Sequence, residues 1–145
     1  MSFLLDTPVV SELVRKSPNA AVLEWMAAQD EATLYLSVLT IGEIEKGIAR
    51  LPASARRSRL QSWVRRDLVA RFGERLLPVD ARTATHWGVL TGEAEDRGKP
   101  LPVIDSLIAA TALVHGHSVV TRNVGDFERC GATCINPWNL LKENL

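Results

Sequence analysis

The chain has 145 residues, 46% of them apolar, which suits one domain with a filled core and leaves too little for two. Its formal net charge is zero and no apolar run nears the roughly 20 residues of a membrane span, so neither a broad basic face nor a membrane anchor is indicated. Asp6 comes too early for a secretory signal, and a cytoplasmic location is expected.

In chain order, short apolar runs alternate with longer helical patterns, the signature of an α/β domain. Phe3-Leu4-Leu5 reads as a first strand ending at Asp6, with Thr7 capping a helix that has Pro8 at its first position. Ser17-Pro18 repeats that signal before a helix with Ala21, Val22, Trp25 and Met26 on its apolar side. Leu34 to Val38 is a second strand, after which Thr40 caps a helix through Ile41, Ile44 and Ile48. A longer amphipathic helix follows from about Ala53 to Phe72, burying Leu60, Trp63, Val64 and Leu68.

Leu76 to Val79 is a third strand, and Asp80 caps a helix reaching about Arg97. Beyond a Gly98 to Pro102 turn, Val103 to Val114 is helical, with Ile104, Leu107, Ile108 and Ala112 as its buried stripe. Val119 to Thr121 is a strand, Asn123 to Glu128 a turn or short helix, and Thr133 to Ile135 a last strand. A single three-layer α/β/α sandwich over residues 1–145, built on a mainly parallel sheet, is the expected architecture.

Four acids stand out. Asp6 follows a strand directly, where groups of open α/β sheets gather for ligands and chemistry, although it could simply cap the next helix. Glu43 completes a capping-box pattern with Thr40, yet sits one turn past the second strand. Asp105 interrupts an apolar stretch in the first turn of its helix, where the helix dipole also favours an acid. Asp126 lies three residues beyond Asn123, again a capping spacing. Each acid has a local explanation, but all lie near the start of an element and three come after strands. In a parallel sheet those ends are neighbours. Converging carboxylates repel unless a cation neutralises them, and Mg²⁺ or Mn²⁺ suits hard oxygen ligands.

The stretch Leu4-Leu5-Asp6-Thr7-Pro8-Val9-Val10-Ser11-Glu12-Leu13 resembles the opening motif of PIN-domain ribonucleases. Thr40-Ile41-Gly42-Glu43-Ile44 with Gly47-Ile48 resembles their second motif, Asp105 to Ala112 the third, and Val120 to Phe127 the fourth. The motifs occur in family order, and within the family the chain is most similar to the toxins of VapBC-type toxin–antitoxin pairs, especially the FitB-like subgroup.

That resemblance implies an endoribonuclease in which Asp6, Glu43, Asp105 and Asp126 are catalytic. Asp6, Asp105 and Asp126 would hold Mg²⁺ or Mn²⁺, with Thr7, Thr121 and Asn123 in support. A metal-activated water would cleave RNA to leave a 5′-phosphate and a 3′-hydroxyl. It further implies a cognate antitoxin that occludes the acids with a basic side chain, and a homodimer or toxin–antitoxin hetero-oligomer. Pro8 departs from the small polar residue often found in the opening motif, and removes a backbone donor there.

Between Arg50 and Arg75, eight arginines face only Asp67 and Glu74, a local charge of +6 balanced by −6 elsewhere. The Arg56 to Arg71 face could guide RNA, or equally be a solvated surface or a contact for an acidic partner. Arg122, between Thr121 and Asn123, is the better single candidate for phosphate binding. Cys130 and Cys134 lack further zinc-ligand partners and read as packing residues, while His86, His115 and His117 form no evident metal spacing. Trp25, Trp63 and Trp87 fall on apolar helix faces, and Trp138 is placed to tether the C-terminal end. The competing reading is a non-catalytic RNA-binding or scaffold module on the same fold. Concentrated negative charge where a phosphate must sit argues against it.

Overall fold

The structure, a computed structural model, describes residues 1–140. Strands β1 (Phe3–Leu5), β2 (Leu34–Ser37), β3 (Leu76–Leu77), β4 (Ser118–Val120) and β5 (Cys134–Ile135) form one parallel sheet in the order β3-β2-β1-β4-β5. Helices flank it: α1 (Thr7–Ser11), α2 (Ala20–Ala28), α3 (Val38–Ala49), α4 (Ala55–Ser62), α5 (Val69–Phe72), α6 (Ala81–Asp96), α7 (Val103–His115) and α8 (Val124–Arg129).

Side chains along a strand point alternately to opposite faces, and the core divides accordingly. Phe3, Leu5, Leu34, Leu36 and Val120 join α1, α2 and the 64–72 helical segment on one side. Leu4, Leu77 and Val119 join Ile108, Ala109 and Ala112 of α7 with Phe127 of α8 on the other. Both faces of the sheet are covered, as an all-parallel sheet requires.

Several helix starts differ from the sequence expectation, each for a local reason. Asp6, not Thr7, caps α1: its carboxylate accepts the Thr7 N–H at 2.8 Å, so Pro8 falls at the second helical position. Asn19, not Ser17, caps α2 by accepting from the N–H groups of Ala21 and Val22. Ser37, not Thr40, caps α3 through the Leu39 N–H at 3.0 Å, which draws Thr40 into the helix as a buried side chain. β3 is shorter than expected because Pro78 follows Leu77 and offers no N–H to a ladder. Asp80 caps α6 as expected, accepting from Thr83 N–H at 2.9 Å.

The expected long helix from Ala53 begins at Ala55 behind the Ser54 cap. It runs through a π-helical stretch, Trp63–Leu68, into α5, burying Val64, Leu68 and Phe72. In α7, Ile108 and Ala112 are buried, but Ile104 does not belong to the buried stripe: it is 37% exposed at the helix start. Gly116 ends α7 in the left-handed conformation at φ 73°, allowing the sharp return into β4.

Cys130 is buried and Cys134 half-buried, both as free thiols. Burial pushes the Cys134 thiol up to about 11, so both act as packing groups. Trp138 is buried in the same core cluster as Phe3, Leu5 and Val120 and anchors the end of the described chain.

Candidate active site at the carboxyl edge of the sheet

The site forms where β1 and β4 end side by side. The Asp6 N–H donates to Val120 O at 2.9 Å, extending the parallel pairing one residue past the end of β1. This presses Asp6 into the protein at 3% exposure and sets Thr121 beside it. The buried Thr121 hydroxyl donates to Asp6 Oδ2 at 2.8 Å and accepts the Asn123 N–H at 2.8 Å.

Thr7, next in sequence, turns its hydroxyl toward α3 and donates to Glu43 Oε1 at 2.5 Å. Thr40 Oγ1 lies 3.2 Å from the same hydroxyl. A hydroxyl carries one proton, so with Thr7 donating to Glu43 the second contact has Thr40 as donor. The expected capping box is therefore absent. Glu43 is free of its own helix end and is held toward Asp6 by Thr7.

Asp105 comes from the first turn of α7. Ser106, beside it, accepts from Trp87 Nε1 at 2.9 Å and donates to Val103 O at 2.9 Å, fixing that turn against α6. Asn123 joins the last two acids: its Nδ2 donates to Asp126 Oδ2 at 2.7 Å and Asp105 Oδ2 at 3.2 Å. Facing two carboxylates, the amide can present only its NH₂ group there. Asp126 is also 3.5 Å from Arg129, and among the described residues it is the one acid of the four in an ion pair.

Asp6, Glu43 and Asp105 line a single cleft of about 290 Å³ with Thr7 and Asn123, while Asp126 adjoins it through Asn123. Burial pushes the Asp6 carboxyl up to about 6. Hydrogen bonds from Thr121 and Thr7 oppose that rise, and the charges of Asp105 and Glu43 add to it. Asp105 is likewise raised, by burial first and then by Glu43 and Asp126, with the Asn123 bond opposing. The carboxylates thus feel one another, as expected from the sequence.

Their chemistry fits a hard divalent cation, since the carboxylates offer oxygen donors and, among the described residues, no basic side chain lines the cleft. Among the described residues, no three acidic, histidine or cysteine side chains already surround a common point for an ion. The donor set suits an ion held directly by one or two carboxylates and otherwise hydrated.

Arg122 does not point among the acids. Its guanidinium lies over the Trp138 ring, 5.0 Å from the centroid. Within the basic segment, Arg65 pairs with Glu45, and Arg71 and Arg75 both grip Glu31, so part of that face serves the fold. His117 stacks on Tyr35 and bonds Ser2 Oγ through Nδ1, at the opposite edge of the sheet from the acids. Sequence reasoning missed Ser106 and the buried Glu12, which accepts from the Asn19 N–H and from Arg15, and gave Thr40 a cap in place of its contact with Thr7.

A family model for the PIN domain matches residues 3–132. The VapC ribonuclease Y4jK of Sinorhizobium fredii is 40% identical over 93% of this chain and 96% of its own length. The plasmid stability protein StbB of Pseudomonas syringae pv. tomato is also 40% identical, over 93% and 97%. Among solved structures, FitAB bound to an IR36 DNA fragment superposes with a TM-score of 0.86 at 33% identity, covering 94% of this chain and 95% of that one.

Proposed function

The chain belongs to the PIN-domain family, and from that membership we propose that it is a metal-dependent endoribonuclease, the toxin of a toxin–antitoxin pair. The observation that carries the reading is the cleft shared by Asp6, Glu43 and Asp105, whose burial and mutual repulsion call for a cation.

Asp6 and Asp105 would hold Mg²⁺ or Mn²⁺, with Asp126 contributing from behind Asn123 and Glu43 closing the opposite side. When bound, such an ion offsets the carboxylate charge, lowers the pKa of water and stabilises charge on a phosphoryl group. The chain's own residues prepare for this. Thr121 orients Asp6 and favours its charged form, Asn123 sets the spacing of Asp105 and Asp126, and Thr7 aims Glu43. Glu43, hydrogen-bonded by Thr7 yet on the cleft wall, is placed to receive a proton from an attacking water. Hydrolysis would leave a 5′-phosphate and a 3′-hydroxyl.

Regulation by an antitoxin is part of the proposal. A largely apolar groove of about 220 Å³, lined by Val14, Ile44, Ile48, Leu60 and Trp63, opens beside Thr7 and Glu43. A helix or extended segment seated there would bring a basic side chain within reach of the acids. The FitAB neighbour supports assembly with an antitoxin. Among the described residues no helix is long and apolar enough to cross a membrane.

Incubating antitoxin-free protein with a pool of structured RNAs, with Mg²⁺, with Mn²⁺ and with EDTA, tests the reading. Cutting with either cation, none with EDTA, and 5′-phosphate ends are expected. A folded protein that cuts nothing with either ion would favour the non-catalytic RNA-binding module.

A further inference from the structure

Beside the acidic cleft, and sharing Glu43 with it, a second groove of about 490 Å³ runs between α3 and the start of α7. Its chemistry is the reverse of the cleft's. Lys46 and Arg50 line it, and among the described residues neither has an acidic partner within ion-pair distance. Arg65, Arg71 and Arg75, by contrast, are engaged with Glu45 and Glu31. Lys46 on α3 and Arg50 at its C-terminal cap therefore bring positive charge beside the acids from outside the Arg56 to Arg71 face.

The rest of the groove is apolar, from Val38, Leu39 and Ile104, with Val38 36% and Ile104 37% exposed. Between these walls sits Gly42. A Cβ added there would meet nothing within 4 Å, so no contact inside the chain requires glycine, and glycine weakens a helix interior.

We propose that this groove is the subsite for the RNA nucleotide next to the bond that is cut. Lys46 and Arg50 hold its phosphates, and Val38, Leu39 and Ile104 carry its base. The proposal rests on the ribonuclease reading and supplies what the cleft lacks. An anionic chain cannot be held by carboxylates alone, and the contiguous groove offers both the compensating cations and an apolar surface for a base.

The test is binding of a short 5′-fluorescein single-stranded RNA, followed by anisotropy in EDTA so that nothing is cut, over a series of salt concentrations. Wild type is compared with the Lys46→Ala/Arg50→Ala double variant and with Gly42→Leu, all at solvent-facing positions and checked for wild-type melting. The double variant should bind more weakly, with a salt slope shallower by about 1.4 for two lost phosphate contacts. Gly42→Leu fills the groove without changing charge and should weaken binding at an unchanged slope.

Unaltered affinity and slope in the double variant would overturn the proposal, as would a wild type that binds no RNA. Variants that turn a dimer into a monomer in sedimentation velocity while RNA binding stays unchanged would assign the face to a second copy and also overturn it. RNA bound with the expected slopes but never cut in Mg²⁺ or Mn²⁺ would uphold the subsite and defeat the nuclease reading, so the two failures are separable.

Discussion

Thr121 donates its hydroxyl to Asp6 Oδ2 at 2.8 Å, joining the ends of two neighbouring parallel strands from positions 115 residues apart. The bond favours the charged form of a carboxyl that burial otherwise keeps protonated. Thr121→Val should therefore raise the Asp6 pKa further and move the rising limb of the pH–rate profile to higher pH, whereas Thr121→Ser should restore it. The valine variant also strands the Asn123 N–H and should lose about 1–3 kcal/mol in chemical denaturation.

Asp6 makes the stability of the cation-free protein depend on pH. Its carboxyl is raised from 3.8 to about 6, so the folded state holds a proton that the unfolded chain has released. The contribution is full below about pH 4 and is lost as pH rises through about 6, a change of about 3 kcal/mol. Asp6→Asn keeps an acceptor for the Thr7 N–H, and should flatten this fall and stabilise the protein above pH 7. Melting temperature against pH in EDTA checks it; identical curves for the two proteins would contradict the assignment.

A divalent cation should reverse the same loss. Mg²⁺ or Mn²⁺ should raise the melting temperature more at pH 8 than at pH 5, because protons compete for the same carboxylates. At a hundredfold excess over its dissociation constant the ion adds about 2.7 kcal/mol. Asp105→Asn should cut the shift sharply, while an exposed-site control such as Glu24→Gln should not.

Ser106→Ala should cost about 1–3 kcal/mol, since it removes the acceptor of Trp87 Nε1. Because that bond fixes the first turn of α7, the variant should also lose cleavage activity beyond what its melting temperature explains. Ser106→Thr retains the oxygen and should recover part of both.

Much of this arrangement is legible in the sequence. The alternating core positions of Phe3, Leu4 and Leu5 announce a strand buried on both faces, and Asp80 announces its helix by capping chemistry alone. The four acids are legible because each interrupts or follows an apolar run at the start of an element. Along the carboxyl edge they follow the strand order, Glu43 beyond β2, Asp6 at the end of β1 and Asp126 beyond β4, with Asp105 brought in by α7.

What the sequence hides are choices between neighbouring polar groups. Asp6 takes the cap from Thr7, and Ser37 takes it from Thr40, because only the complete turn decides which oxygen meets the free N–H. The displaced hydroxyls, Thr7 and Thr40, then bond to each other across 33 residues, and Thr7 bonds to Glu43 across 36. Local pattern carries no trace of that. Likewise, the arginine run reads as one basic face until tertiary partners at Glu31 and Glu45 engage part of it. Ile104 fits a buried stripe by spacing but meets a groove instead of a neighbouring helix.

The most direct test of the central claim is cleavage of a structured-RNA pool in Mg²⁺ or Mn²⁺ by wild type and by Asp105→Asn, each verified as folded by its melting curve. The account predicts that the variant melts no lower than wild type, since one of several repelling charges is gone, and cuts nothing. A folded Asp105→Asn protein that cuts as fast as wild type would contradict the account, because the reaction would then not depend on the carboxylates gathered at this edge of the sheet.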